Sequence, residues 1–238
     1  MRLGKHPARH DKRTVMYADV TDATMPDFPM ALAQDSFVPE VVDMYDNDKI
    51  GDCTCASIGY LENVWTQYGR AGSLLTKDEV IKAYCDVAGY VPGDENTDNG
   101  ASMLDVLKRW RNIGISNKKI LAFVKIDHNN IDHVKSAINM LGGIYVGAML
   151  PNSAKKAVDS GRIWSDVSEE PGTWGGHCMS ASRYDRSTIW LRTWGKSQPA
   201  EWSWWRRYVD ECYGALSPEW RQPNGLNLDR LQLYLSNL

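Results

Sequence analysis

The apolar residues of this chain change period once along its length, and that change limits the fold to mixed helix and strand layers. Up to about residue 112 they recur at helical spacing; beyond residue 119 they gather in short blocks that read as strands. The spacing of Ala56, Tyr60 and Val64, with Leu61 and Trp65 beside them, predicts a helix from Cys53 to about Tyr68. Thr76-Lys77-Asp78-Glu79 is a capping box that opens a second helix, ending near Gly89. A third runs from Ser102 to about Asn112 and stops before Gly114. Strands are then expected at Lys119–Ile126, Ile144–Leu150, His177–Tyr184 and Thr188–Trp194, with a last one in "CYGALS". Between them fall a helix from Asn130 to Leu141, halted by Gly142-Gly143, and a loop from Pro151 to Thr173. "PAEWSWWRRYVDE" reads as a short helix with Pro199 ahead of it. Helices first and strands later make the class α+β.

Three segments follow from this pattern. Residues 1–40 read as an extended arm, because Pro7, Pro26, Pro29 and Pro39 interrupt any helix. Residues 41–220 form the folded body. Residues 221–238 form a leucine-rich tail that packs on the body or on a partner. The arm carries Arg2, Lys5, Arg9, Lys12 and Arg13, a charge run that is either solvated or docked on an acidic surface. The whole chain has a net charge of -3, which gives no electrostatic footprint for nucleic acid. No apolar run is long enough to span a bilayer, and no secretory leader follows the basic start, so a cytoplasmic setting with reduced thiols is expected. Ten tryptophans stand against three phenylalanines. A tryptophan-rich core is the expected use, and the Trp202, Trp205 and Arg206 group should pack its helix on the strand layer.

Chemistry concentrates in two short stretches. "NDKIGDCTCAS", from Asn47 to Ser57, sets Cys53 on a Gly-Asp turn where a helix begins. "TWGGHCMSASRYD", from Thr173 to Asp185, sets His177 at a strand start behind two glycines, which let another backbone come close. A helix N-terminus and a nearby imidazolium lower a thiol pKa from ~8.5 to as little as ~3.5, so this pairing fits a thiolate nucleophile. Cys55 is the rival nucleophile. A zinc site built from Cys53, Cys55, His177 and Cys178 fits badly, because C-x-C and an adjacent His-Cys pair constrain four-ligand geometry. No metal or cofactor is expected. Asp94, Glu95, Asn96 and Asp98 crowd one loop but lack the calcium-loop pattern, so a solvated turn is expected there.

These residues resemble the papain-like cysteine peptidase superfamily. "NDKIGDCTCAS" is similar to its nucleophile segment, which in bacterial members runs Q-G-x-L-G-S-C-T-A-N-A. "GGHCMSASRYD" resembles its G-G-H-A-V-x-x-x-G-Y-D strand, and "IWLRTWGKS" its following I-V-K-N-S-W-G strand. The likeness covers roughly residues 45–215 in order, and Cys53 and His177 lie 124 positions apart, near the ~130–150 of papain-type enzymes. It implies a papain-like fold with a helical N-terminal half carrying the cysteine and an antiparallel β C-terminal half carrying the histidine. The loop "GDENTDNGASM" and the ending "TWGKSQPAEWSWW" are most similar to phage- and prophage-encoded members.

Carried over by position, Cys53 takes the nucleophile's place and His177 the base's. Asn47 falls at the oxyanion-hole glutamine, one methylene shorter. The orienting asparagine is replaced by Arg192, which cannot accept an imidazole N–H; Thr193 and Gln198 are the substitutes in reach. The resemblance implies a thiol hydrolase, a peptidase or amidase, acting on a peptide or amide substrate and encoded by a phage or prophage. The two departures support the alternative of a catalytically degenerate component of a phage virion. Its arm and tail would then grip neighbouring subunits, and the protein would be virion-associated.

Overall fold

The computed structural model describes residues 1–21, 27–36, 42–70 and 72–220. Its helical half is organised around α2 (Cys53–Gly69), whose residues are buried on nearly every side over its first four turns. A helix that is apolar all round belongs in an interior, and α2 reaches one by packing against α3 (Lys77–Ala88) and α4 (Met103–Asn112). α3 has the reciprocal Thr76–Glu79 capping box and ends on Gly89, in the left-handed region at φ 70°. Trp65 of α2 stacks on Trp110 of α4 with ring centroids 5.6 Å apart. The Trp110 indole N–H donates to Glu62 Oε1 at 2.8 Å.

The second half is an antiparallel sheet. Among the described residues its strands are β1 (Leu32–Ala33), β2 (Ala122–Lys125), β3 (Ile144–Leu150), β4 (Gly175–Tyr184), β5 (Thr188–Thr193), β6 (Lys196–Glu201) and β7 (Val209–Leu216). They run in the order β2-β7-β3-β4-β5-β6, with β1 added on β4. The two faces of the sheet bury different sets of side chains, as the alternation of a strand requires. Tyr145, Cys178, Tyr213 and Ala215 meet α2, α3 and α4. Val146, Ala148, Met179 and Ala181 meet α5 (Ile131–Leu141), α6 (Asn152–Asp159) and α7 (Trp202–Tyr208). Trp164, Trp194, Trp202, Trp204 and Trp205 serve this second core: Trp204 stacks on Trp164 at 4.7 Å, and the Trp205 N–H donates to the His128 carbonyl.

Two elements differ from the sequence reading. The expected loop at Pro151–Thr173 contains α6, whose single apolar stripe of Ala154, Ala157 and Val158 is too short to stand out. The helix expected in "PAEWSWWRRYVDE" is confined to Trp202–Tyr208; the residues before it belong to β6 and residues 209–211 to β7. Pro199 is tolerated in β6 because that strand lies at the sheet's edge, where the missing N–H breaks no ladder.

The N-terminal arm is extended only in part. Tyr17–Val20 form a short helix, α1, and Val15, Tyr17 and Val20 are buried in the core beside α5. Its charges meet the body: Arg2 pairs with Asp98 at 2.9 Å, Arg9 with Asp105 at 2.6 Å, and Lys5 with Asp210 at 2.9 Å. The leucine-rich tail at 221–238 lies outside the described residues. No helix among them is long and apolar enough to cross a membrane.

Burial pushes the Glu62 carboxyl up to about 7 from an ordinary 4.5, the Trp110 bond opposing this. A raised pKa stabilises the fold below the unfolded value, and that contribution is lost as pH rises through the folded one. Glu62→Gln is therefore expected to change stability by under about 1 kcal/mol at pH 5 and to add roughly 2–3 kcal/mol at pH 9. Urea unfolding at the two pH values checks this; an equal effect at both would contradict it.

Candidate active site

The turn before α2 is held from outside. Asp98 accepts the Gly51 N–H on both carboxylate oxygens, at 3.0 and 3.1 Å, and also receives the Tyr84 hydroxyl. The acidic loop expected to be solvated thus contributes a buried clamp on the chain entering α2. Nothing in local spacing signalled it, since Asp98 and Gly51 are 47 positions apart. Asp52 then caps α2 through its carbonyl, which accepts from Cys55 and Ala56. Its carboxyl is buried without a partner among the described residues, and burial raises its pKa well above the usual range.

Cys53 begins the first turn of α2 and is fully buried. It packs with Cys178 of β4 in one apolar cluster, and the backbones of Cys178 and Gly4 both favour its ionised form. Cys178 directly follows His177, so the fold sets the thiol beside the histidine's own strand. Cys55, two positions further along α2, is buried in the same apolar cluster, and burial raises its thiol. The expected lowering of the Cys53 pKa is not seen. Burial pushes it up to about 12, with Asp52 adding to the rise and the two backbones opposing it.

His177 is also fully buried. Its Nε2 lies 2.7 Å from Thr193 Oγ1, and its Nδ1 has no partner among the described residues. Trp194 stacks flat on the ring, centroids 4.3 Å apart and planes 12° from parallel, with Trp174 behind it. Two residues, Trp194 and Gly195, join β5 to β6, both in the left-handed region at φ 46° and 73°. Such a turn matches the twist of a hairpin. A bulky residue at positive φ is strained, and here that conformation accompanies the indole's seat on the imidazole. Burial, and then the Lys5 cation, push the His177 pKa down to about 3.

Alternation along β5 separates Thr193 from Arg192. Arg192 pairs with Asp35 at 3.1 Å, while Thr193 meets the histidine. Gln198 is not at the ring; its amide donates to the carbonyls of Arg162 and Pro199. Asn47 follows a turn with Tyr45 and Asp46 at positive φ, and its buried amide has no partner among the described residues. The described residues contain no group of three His, Cys, Asp or Glu side chains able to hold a metal ion.

The site has one occupant that sequence reasoning missed. Residues 4–6 run between its walls, with the Lys5 N–H donating to the Gly176 carbonyl and the His6 N–H to that of Ala101.

No protein-family model matches this chain, and no curated protein matches it by sequence. Solved structures do resemble it. Xylellain, a cysteine protease from Xylella fastidiosa, superposes with a TM-score of 0.71 at 14% identity, covering 90% of this chain and 96% of that one. Procathepsin L 3 from the larval midgut of Tenebrio molitor gives 0.58 at 10% identity, over 86% of this chain and 76% of its own. The Carica candamarcensis cysteine protease CMS1MS2 gives 0.52 at 11% identity, over 79% of this chain and 99% of its own. Likeness at such identities speaks for architecture alone, and the architecture is the papain-like α+β fold, helical in its N-terminal half and antiparallel β in its C-terminal half.

Proposed function

We propose that this protein is a thiol hydrolase, a peptidase or amidase, with Cys53 as nucleophile and His177 as base. One observation carries the reading: a thiol at the first turn of α2 lies against the strand of a histidine whose Nε2 is engaged and whose Nδ1 is unengaged. In the tautomer the reaction needs, Nε2–H donates to Thr193 Oγ1 and Nδ1 carries the lone pair.

Nδ1 takes the thiol proton as the sulfur bonds to the acyl carbon of the substrate. The carbonyl oxygen becomes an oxyanion, met by the Cys53 backbone N–H, which has no acceptor within the helix, and by the Asn47 amide. The carbon–nitrogen bond then breaks, and the Nδ1 proton leaves with the amine. Water, deprotonated by the same nitrogen, cleaves the thioester and returns the thiol with release of the acid. Thr193 acts by positioning the ring, and Trp194 by covering it.

The phage or prophage origin is part of this proposal and rests on the sequence resemblance. A second reading, a papain-like virion component without catalysis, draws on Arg192 at the asparagine's position and on the shorter Asn47. It expects multimers by size exclusion and no turnover of any peptidyl amide.

Cys53→Ala should abolish hydrolysis of peptidyl amides and labelling by a peptidyl chloromethyl ketone, whereas Cys55→Ala should retain both. The reverse pattern, mapped by mass spectrometry, would move the nucleophile to Cys55. Thr193→Val should lower kcat by roughly tenfold to a hundredfold, about 1.4–2.8 kcal/mol, with KM little changed, and Thr193→Ser should recover most of it. Because burial and Lys5 both oppose the imidazolium, the His177 ring of the full chain should stay neutral to about pH 4 in an NMR titration. A ring already charged at pH 6 would contradict the closed site described above.

A further inference from the structure

The N-terminal segment lies in the cleft in a manner that fits a bound peptide. Lys5 forms a parallel bridge with Ala101 on the helical side, flanked by bonds from Ala101 N–H to the Gly4 carbonyl and from His6 N–H to the Ala101 carbonyl. On the sheet side its N–H donates to Gly176, next to His177, at 3.1 Å. The walls are cut away to admit it. A Cβ added at Gly176 would lie 2.3 Å from the Lys5 carbonyl oxygen, and one at Gly100 would lie 2.1 Å from that of Gly4. The segment is thinned to match, because a Cβ on Gly4 would lie 1.9 Å from the Gly51 carbonyl oxygen.

The Lys5 side chain enters a closed pocket. Its Nζ, fully buried, meets Asp210 Oδ2 at 2.9 Å, Glu211 Oε1 at 3.1 Å and the His6 carbonyl at 3.1 Å. Gly147 and Met103 line the stem, and a Cβ at Gly147 would lie 2.2 Å from Lys5 Cε. The Tyr213 hydroxyl donates to Glu211 Oε2 at 3.2 Å, while Asp210 Oδ1 is buried without a partner among the described residues. Two neighbouring carboxylates in such a pocket are stable only beside a cation. The unpartnered Asp210 oxygen offers an acceptor for the second N–H of a guanidinium. Gly4 packs on the backbone of Gly51, two residues before Cys53, so the segment lies across the approach to the thiol and has to move for an acyl group to enter.

We propose that the pocket formed by Asp210, Glu211 and Gly147 selects a lysine or arginine side chain of a peptide substrate, and that residues 3–6 hold its place until displaced. This rests on the hydrolase reading for the word substrate, but the selectivity of the pocket does not require turnover.

The test uses the full chain with Gly4→Val, which cannot keep the segment seated against Gly51, and Cys53→Ala to remove any chemistry. Lys5→Glu, which sets a third carboxylate against Asp210 and Glu211, is the second variant if circular dichroism shows that the first fails to fold. Fluorescent peptides with the sequence of residues 1–8 carry lysine, arginine or norleucine at the fifth position. Anisotropy should show lysine and arginine peptides binding the displaced chain at least about tenfold tighter than norleucine. It should also show the lysine peptide binding at least about tenfold tighter than it does to the chain with Gly4 intact. Asp210→Asn with Glu211→Gln should erase the preference. Equal affinity for lysine and norleucine, or no gain on displacement, would overturn the proposal. In chains that retain Cys53, peptidyl amides with the same three side chains report turnover separately, so loss of hydrolysis alone would sink only the hydrolase reading.

Discussion

A helix buried on nearly every side has to anchor itself inside the protein, and α2 does so through bonds to the sheet and to the end of α5. The Tyr145 hydroxyl of β3 donates to the Thr54 carbonyl at 2.9 Å, and the Trp65 N–H donates to the Leu141 carbonyl at the end of α5. The Tyr60 hydroxyl receives the Gly195 N–H of the β5–β6 turn. Each bond replaces water that the helix has given up, and a lost one would leave a buried group unsatisfied at about 1–3 kcal/mol. Together they fix the rotation and height of α2, and hence where the Cys53 sulfur meets β4.

Electrostatics in this region is governed by desolvation. A helix N-terminus favours an anion by typically 0.3–1 kcal/mol, up to ~2 kcal/mol in partly buried settings. Full burial moves a pKa by up to ~3–5 units, each worth about 1.4 kcal/mol, so burial wins. The same balance makes Asp52, Cys53 and His177 all favour their neutral forms in the covered cleft. Solvent entry would relax all three shifts at once, and departure of Lys5 would remove a cation that opposes the imidazolium.

The parts of the fold legible in the sequence are those encoded locally. The capping box at Thr76, the glycine after Leu141 and the even run of β3 depend on neighbours a few positions apart, and they reappear where expected. α6 and β6 were hidden because one is eight residues long and the other polar with a proline. In the site, Cys53 and His177 were legible through motif spacing, and Thr193 only as one of two substitutes. The Asp98 clamp and the Lys5 pocket join residues 47 and roughly two hundred positions apart, and no local pattern encodes such a pairing. The two glycines before His177 did carry a hint, since they called for a second backbone nearby.

Both outer margins of the sheet are partly covered by other segments of the chain. Along β6, Pro199 offers no N–H, and Trp164 takes up the Pro199 carbonyl and the Glu201 amide. Along β2, Val15 and Met16 cover Lys125 through a backbone bond of 2.8 Å. A margin without a row of open donors and acceptors is a poor template for another molecule's strand. Copies of this protein that meet at these two margins find few backbone groups left for lengthening the sheet.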